Sequence, residues 1–110
     1  MKNVNGLLIF ENDENLPTIK GVEIPKSTEK SKFGFKIKAS EGKLIWEAAD
    51  EVDYREAEAI RLGIKKDDIK IDDQMCHADS PYSCTGPCYY GGFCKPVYRL
   101  ETLYIYCACV

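Results

Sequence analysis

All six cysteines of this chain, Cys76, Cys84, Cys88, Cys94, Cys107 and Cys109, lie between residues 76 and 110, and none precedes them. A stretch of that length falls below the roughly 40 residues at which a hydrophobic core alone sustains a fold, so covalent bridges or a metal are expected to hold it. The asymmetry predicts two parts of one α+β protein. Residues 1–75 read as a small hairpin-plus-helix domain or leader region, and residues 76–110 as a six-cysteine crosslinked β module.

The 110-residue chain is 45% hydrophobic and 30% charged, the composition of a folded protein rather than a disordered one. Its formal net charge is −3, and residues 76–110 are neutral, with Lys95 and Arg99 against Asp79 and Glu101. Nucleic acid and anionic membranes need clustered Lys and Arg, so the balance argues against both as partners. The longest apolar run, Gly6–Phe10, is far short of a membrane span. It also lacks the length and cleavage site of a secretory signal, and Glu11-Asn12-Asp13-Glu14-Asn15 follows it directly. Two compartments therefore stay in play: an exported, bridged protein with no signal visible here, or a cytoplasmic one whose thiols bind metal.

Residues 4–10 predict one buried strand, followed by a turn over 11–17. Val22-Glu23-Ile24 predicts a short strand ending at Pro25, and residues 26–32 a charged loop. Phe33, Phe35, Ile37 and Ala39 alternate with Gly34, Lys36 and Lys38, and Leu44, Trp46 and Ala48 alternate after Ser40-Glu41-Gly42-Lys43, which predicts a hairpin with Trp46 in its core. Asp53 and Glu56 have capping-box spacing and Gly63 closes the segment, predicting a helix over 53–62. Ala57, Ile60 and Ile64 form its expected buried stripe, with Glu51/Arg55 and Glu58/Arg61 as pairs on a solvated face. Ile69-Lys70-Ile71 suggests one further strand.

Six cysteines allow 15 pairings. Leu103–Cys109 predicts a strand that places Cys107 and Cys109 on one face, since side chains repeat every second residue. The elements Cys84-Thr85-Gly86-Pro87-Cys88, Gly91-Gly92-Phe93-Cys94 and Cys107-Ala108-Cys109 resemble the cystine-stabilised αβ framework of defensins, which implies bridges 76–94, 84–107 and 88–109. In this framework Gly86-Pro87 falls within the helix, where both residues are unfavourable. The same stretch resembles an EGF-like module through five of its cysteines, with Cys88-Tyr89-Tyr90-Gly91-Gly92-Phe93-Cys94 as the double-glycine loop. A disulfide scaffold outside both families fits the spacing equally.

Tyrosine is the second signal. Tyr82, Tyr89, Tyr90, Tyr98, Tyr104 and Tyr106, six of the chain's seven, share this segment with Phe93. Because a small crosslinked scaffold has little interior, Tyr89, Tyr90, Phe93, Tyr98, Tyr104 and Tyr106 are candidates for a protein-binding face; the competing assignment packs them over the bridges and the hairpin. Catalytic patterns are missing: there is no Ser-His-Asp set, phosphate loop, dinucleotide fingerprint or Cys-x-x-Cys pair, and His77 stands alone. If the cysteines hold metal instead of bridges, Cys84 and Cys88 have half-site zinc spacing, with Cys107, Cys109 or His77 completing the set. The leading expectation is a non-enzymatic, secreted, disulfide-rich binding module without cofactor, or a peptide precursor cleaved near Gln74 or Met75. The alternative is an intracellular protein binding Zn or an iron–sulfur cluster.

Overall fold

The turn at Asn5-Gly6 sets the first departure from that reading. Both residues take positive φ, 54° and 88°, the left-handed pair that a two-residue hairpin turn demands. The apolar segment therefore folds back on itself, and β1 (Lys2–Val4) pairs antiparallel with β2 (Leu7–Ile9), Val4 opposite Leu7. The Asn-Gly dipeptide is the sequence signal for this turn, and it replaces the single strand expected over residues 4–10. The structure is a computed structural model and describes residues 1–11, 22–23, 32–71, 75–80 and 83–110. Most of the turn expected over 11–17, Ile24 and Pro25, the loop over 26–31, Gln74 and Tyr82 lie outside the described residues.

The second hairpin forms as its alternation predicts. β4 (Phe35–Ser40) and β5 (Lys43–Ala48) pair with Ile37 opposite Trp46, turning at Glu41-Gly42 with φ of 51° and 77°. Val22–Glu23 forms β3, which pairs parallel with β5. Helix α1 spans Glu51–Leu62, starting a little earlier than expected because Asp50, not Asp53, is its cap. The Asp50 carboxylate accepts from the Asp53 amide at 3.0 Å, and the Asp53 carboxylate accepts from the Asp50 amide at 3.2 Å, a reciprocal arrangement satisfying two of the free N-terminal donors. Gly63 ends the helix at φ 68°. A 3-10 turn (Lys66–Asp68) follows, and residues 69–71 are irregular rather than a strand, with Ile69 buried against the helix side of the core.

Four strands come from the cysteine-bearing segment: β6 (His77–Ser80), β7 (Ser83–Thr85), β8 (Cys94–Arg99) and β9 (Tyr104–Cys109). Among the described residues, seven strands make one sheet in the order β1-β2-β8-β9-β4-β5-β3, while β6 and β7 form a separate two-stranded ribbon. The fold is thus a sheet-dominated α+β arrangement in which β8 and β9 occupy the middle of the sheet. The division at residue 75 expected from the cysteine distribution does not describe how the sheet is built. Residues 76–110 supply its central strands, and the amino-terminal hairpins flank them.

Each face of that sheet has its own cover. Tyr104, Tyr106 and Ala108 of β9 join Leu7, Ile9, Val97 and the helix residues Tyr54 and Ala57 on one side. Ile105 and Cys107 join Phe10, Phe35, Trp46, Tyr98, Cys76 and Ala78 on the other. The β6–β7 ribbon is fastened over this second face by bridges Cys76–Cys94, Cys84–Cys107 and Cys88–Cys109. Cys107 and Cys109 leave β9 from one side, as alternation requires, and the connectivity coincides with the pairing the αβ framework implies. The architecture does not: Cys84 sits in strand β7, and no helix occurs among the described residues of 76–110. Closing loops of 18, 23 and 21 residues removes unfolded-state entropy worth about 3 kcal/mol per bridge. Among the described residues no helix is long and apolar enough to cross a membrane.

Gly34 marks where β4 enters the sheet beside β9. It has φ 92°, and a Cβ there would lie 2.7 Å from Tyr106 Cβ and against the Ile105 carbonyl oxygen, whereas a Cβ on Gly42 would meet nothing. Gly34→Ala is expected to cost more than about 2 kcal/mol of stability and Gly42→Ala about 1 kcal/mol, measured by urea denaturation. Equal costs would remove the close approach of Gly34 to β9 from the account.

Candidate functional site

Helix α1 turns Tyr54, Ala57, Glu58 and Arg61 toward the sheet, a stripe at positions i, i+3, i+4 and i+7 whose last two members are charged. This corrects the reading of Glu58 and Arg61 as a solvated pair. Glu58 is 4% exposed, and Ile60 and Ile64, expected in the core, lie at the surface instead. The charges survive burial because they are fully engaged. Arg61 Nε and Nη2 donate to the two Glu58 oxygens, each at 2.7 Å, and the Tyr106 hydroxyl donates to Glu58 Oε1 at 2.7 Å. Arg61 Nη2 also reaches the Cys109 carbonyl at 3.5 Å, tying the helix to the end of β9.

Aromatic rings surround this pair. Tyr54 meets Tyr106 edge-on at 5.6 Å, and Tyr104 stacks on Tyr106 at 4.9 Å. The Tyr104 hydroxyl donates to the Phe33 carbonyl. Burial, with the nearby Glu58 charge adding to it, pushes the Tyr54 hydroxyl up to about 12 and raises that of Tyr106 further. Burial likewise raises Tyr104. The Glu58 hydrogen bond lifts the Arg61 guanidinium above its already high value.

Above the pair opens a cleft of about 330 Å³, walled by Leu62 of the helix, Met75, Tyr89, Tyr90 and Cys109, with Glu58 and Arg61 among its lining. That volume lies at the small end of ligand pockets. Tyr89, Tyr90 and Gly91 bring the first part of the 89–93 loop to its rim. Cys88 and Cys94 anchor the two ends of this loop through their bridges, and Phe93 and Val110 exchange backbone hydrogen bonds at 2.9 Å in both directions. Gly92, at φ 86°, lets the loop pass the Val110 carbonyl, which a Cβ would approach to 2.8 Å.

No family model and no solved structure matches the chain. Over 97 residues it is 31% identical to "Uncharacterized protein YozP" of Bacillus subtilis (strain 168), a match covering 86% of this chain and 87% of that protein. The chain belongs to the YozP family. An alignment of that length cannot come from the cysteine-bearing segment alone, so likeness to YozP takes in flanking parts of the chain as well.

Within this member of the YozP family, the six aromatic candidates divide evenly. Tyr89, Tyr90 and Phe93 are 56%, 80% and 72% exposed, with Lys70 over the Tyr90 ring and Lys95 over the Phe93 ring, each at 5.9 Å. Tyr98, Tyr104 and Tyr106 are buried; they serve the core and offer no surface. The reason is the position of β8, which carries Tyr98, and β9, which carries Tyr104 and Tyr106, in the middle of the sheet, where both faces are covered. All six cysteines are bridged, and the metal set Cys84, Cys88, Cys107, Cys109 and His77 is not gathered at one point. Cys84–Cys107 and Cys88–Cys109 are different bridges, and the sulfurs brought within 4.8 Å of one another are those of Cys76, Cys88 and Cys109. His77 is not part of that cluster and is engaged elsewhere, with Nδ1 2.8 Å from the Met75 carbonyl and Nε2 3.6 Å from Asp79. Sequence reasoning missed the Glu58–Arg61–Tyr106 cluster because a charged pair three residues apart on a helix has the same pattern whether it faces water or a sheet.

Removing one partner of a buried ion pair strands the other charge. Glu58→Ala and Arg61→Ala are each expected to cost about 3–5 kcal/mol, while the double Glu58→Leu/Arg61→Leu variant costs clearly less than their sum. Additive losses in chemical denaturation would show that the two groups do not act together.

The buried tyrosines make stability fall at high pH. Tyr54 has a folded pKa of about 12 against an ordinary 10.0, so above pH 10 the unfolded chain releases its proton first. The contribution is complete below 10 and declines as pH rises toward 12, with Tyr104 and Tyr106 acting in the same direction. The urea midpoint should drop between about pH 8 and about pH 11, and Tyr54→Phe should reduce that drop. A midpoint that stays flat over this range would contradict the burial of these rings.

Proposed function

We propose that this protein is a non-enzymatic, exported binding protein that recognises a segment of a protein partner through the 89–93 loop and the cleft behind it. One observation carries the reading: three large aromatic side chains stand exposed on a loop whose two ends are held by bridges. Exposed rings on a mobile loop would lose entropy on binding; a loop anchored at both ends has already given it up. Tyr and Phe provide large contact area with two rotatable side-chain bonds each, which suits a protein partner. The cleft beside them is sized for one apolar or aromatic anchor side chain, with Met75 and Leu62 as adaptable walls. A formal charge of −3 supports a protein partner over nucleic acid.

Three bridges favour an oxidising compartment, which supports export. The position of β8 and β9 favours action by the uncut chain over release of a peptide near residue 75. Cleavage and release there would draw the two middle strands out of the sheet.

The test is selection of random peptides displayed on phage against the oxidised protein. Enriched peptides are expected to carry an aromatic or large aliphatic anchor. Their affinity should fall about ten-fold or more in Tyr90→Ala and further in the Tyr89→Ala/Tyr90→Ala/Phe93→Ala variant, with the melting temperature unchanged. An absence of enrichment, or peptides that bind the triple variant as tightly as the parent, overturns the reading.

A further inference from the structure

Two of the three bridges lie side by side, with three of their four sulfurs clustered. Cys76 Sγ lies within 4.8 Å of both Cys88 Sγ and Cys109 Sγ, and the fourth sulfur, of Cys94, is bonded to Cys76. Cys94 and Cys109 stand directly opposite each other on β8 and β9, whereas Cys107, bridged to Cys84, stands opposite Pro96. The four residues thus converge from four places in the chain: the start of the ribbon, the turn after β7, and facing positions on each of the two central strands.

We infer that, when both bridges are reduced, Cys76, Cys88, Cys94 and Cys109 form one tetrathiolate site for Zn²⁺ or a similar thiophilic divalent cation, and that Cys84 and Cys107 take no part in it. Four sulfurs around Zn at about 2.3 Å stand about 3.8 Å from one another. The three clustered sulfurs already lie within 4.8 Å of one another, and Cys94, whose sulfur is bonded to that of Cys76 and whose backbone faces Cys109 across the two strands, has to rotate in to complete the set. Each bridge takes two electrons from an added phosphine, which ends as its oxide with the oxygen of a water molecule while that water supplies the two thiol protons, or takes both electrons and protons from a dithiol, which ends as a disulfide. Metal binding then displaces the thiol protons to solvent, leaving a site of net charge −2. The same sulfurs would hold the β6–β7 ribbon on the sheet in either compartment, covalently when oxidised and through the metal when reduced. The inference stands on the sulfur cluster alone and is independent of the peptide-binding reading.

The test uses the full chain reduced with a phosphine and titrated with Co²⁺, followed by Zn²⁺ displacement. One ion per chain with the charge-transfer absorption of tetrahedral cobalt thiolate is expected. Cys84→Ser/Cys107→Ser should keep that spectrum, while Cys88→Ser/Cys109→Ser should weaken binding by about ten-fold or more. In a parallel measurement on the unmutated reduced chain, Zn²⁺ should protect Cys76, Cys88, Cys94 and Cys109 from alkylation and leave Cys84 and Cys107 modified. This second readout holds even if a variant fails to fold. No stoichiometric uptake, equal uptake by both variants as expected of unstructured thiols, or protection spread evenly over the six cysteines overturns the inference.

Discussion

Strand β9 is buried on both faces, and the rest of the molecule is arranged to make this possible. A strand with Tyr104, Tyr106 and Ala108 on one side and Ile105, Cys107 and Cys109 on the other needs two separate apolar covers. The amphipathic helix supplies one. The other is a two-stranded ribbon of four and three residues, too short to stay in place by its own packing. The bridges solve this by fastening the ribbon to the strands beneath it. Sulfur here does not replace a hydrophobic core, as expected for a self-contained module; it completes one that draws on described residues both before and after Met75.

The same arrangement positions the cleft. Bridging Cys88 to Cys109 and Cys76 to Cys94 fixes both ends of the 89–93 loop beside the carboxy-terminal half of the helix, whose Glu58 and Arg61 line the cleft, with Tyr106 holding Glu58 from beneath. A buried ion pair is weak support for stability as such. Its contribution here is orientation. The bidentate Arg61–Glu58 contact, the Tyr106 hydroxyl and the Cys109 carbonyl define how the helix sits on the sheet, and so define the width of the opening between Leu62 and Tyr90. Core, bridge and cleft meet at Cys109, which ends the central strand, carries a bridge and lines the opening.

The legible parts of this fold were the local ones. Alternation around Glu41-Gly42 placed the β4–β5 hairpin, and Gly63 placed the end of the helix. Parity placed Cys107 and Cys109 on one face of their strand. Asn5-Gly6 carried a hairpin signal that the apolar run around it concealed. The exposed half of the aromatic set was not separable from the buried half, because Tyr89 and Tyr106 differ only in what the chain brings up against them.

Composition and spacing by themselves determined that sulfur, bridged or metal-bound, holds residues 76–110, that a strand carries two of the cysteines on one side, and that a hairpin and a helix precede it. These follow from interactions a few residues apart and from the period of the side chains. Only the tertiary structure decided that the late strands lie between the early hairpins, which sulfurs meet, and that Glu58 and Arg61 face inward. Those outcomes depend on which surfaces remain to be covered once each local element has formed, and that is a property of the assembled chain rather than of any segment in it.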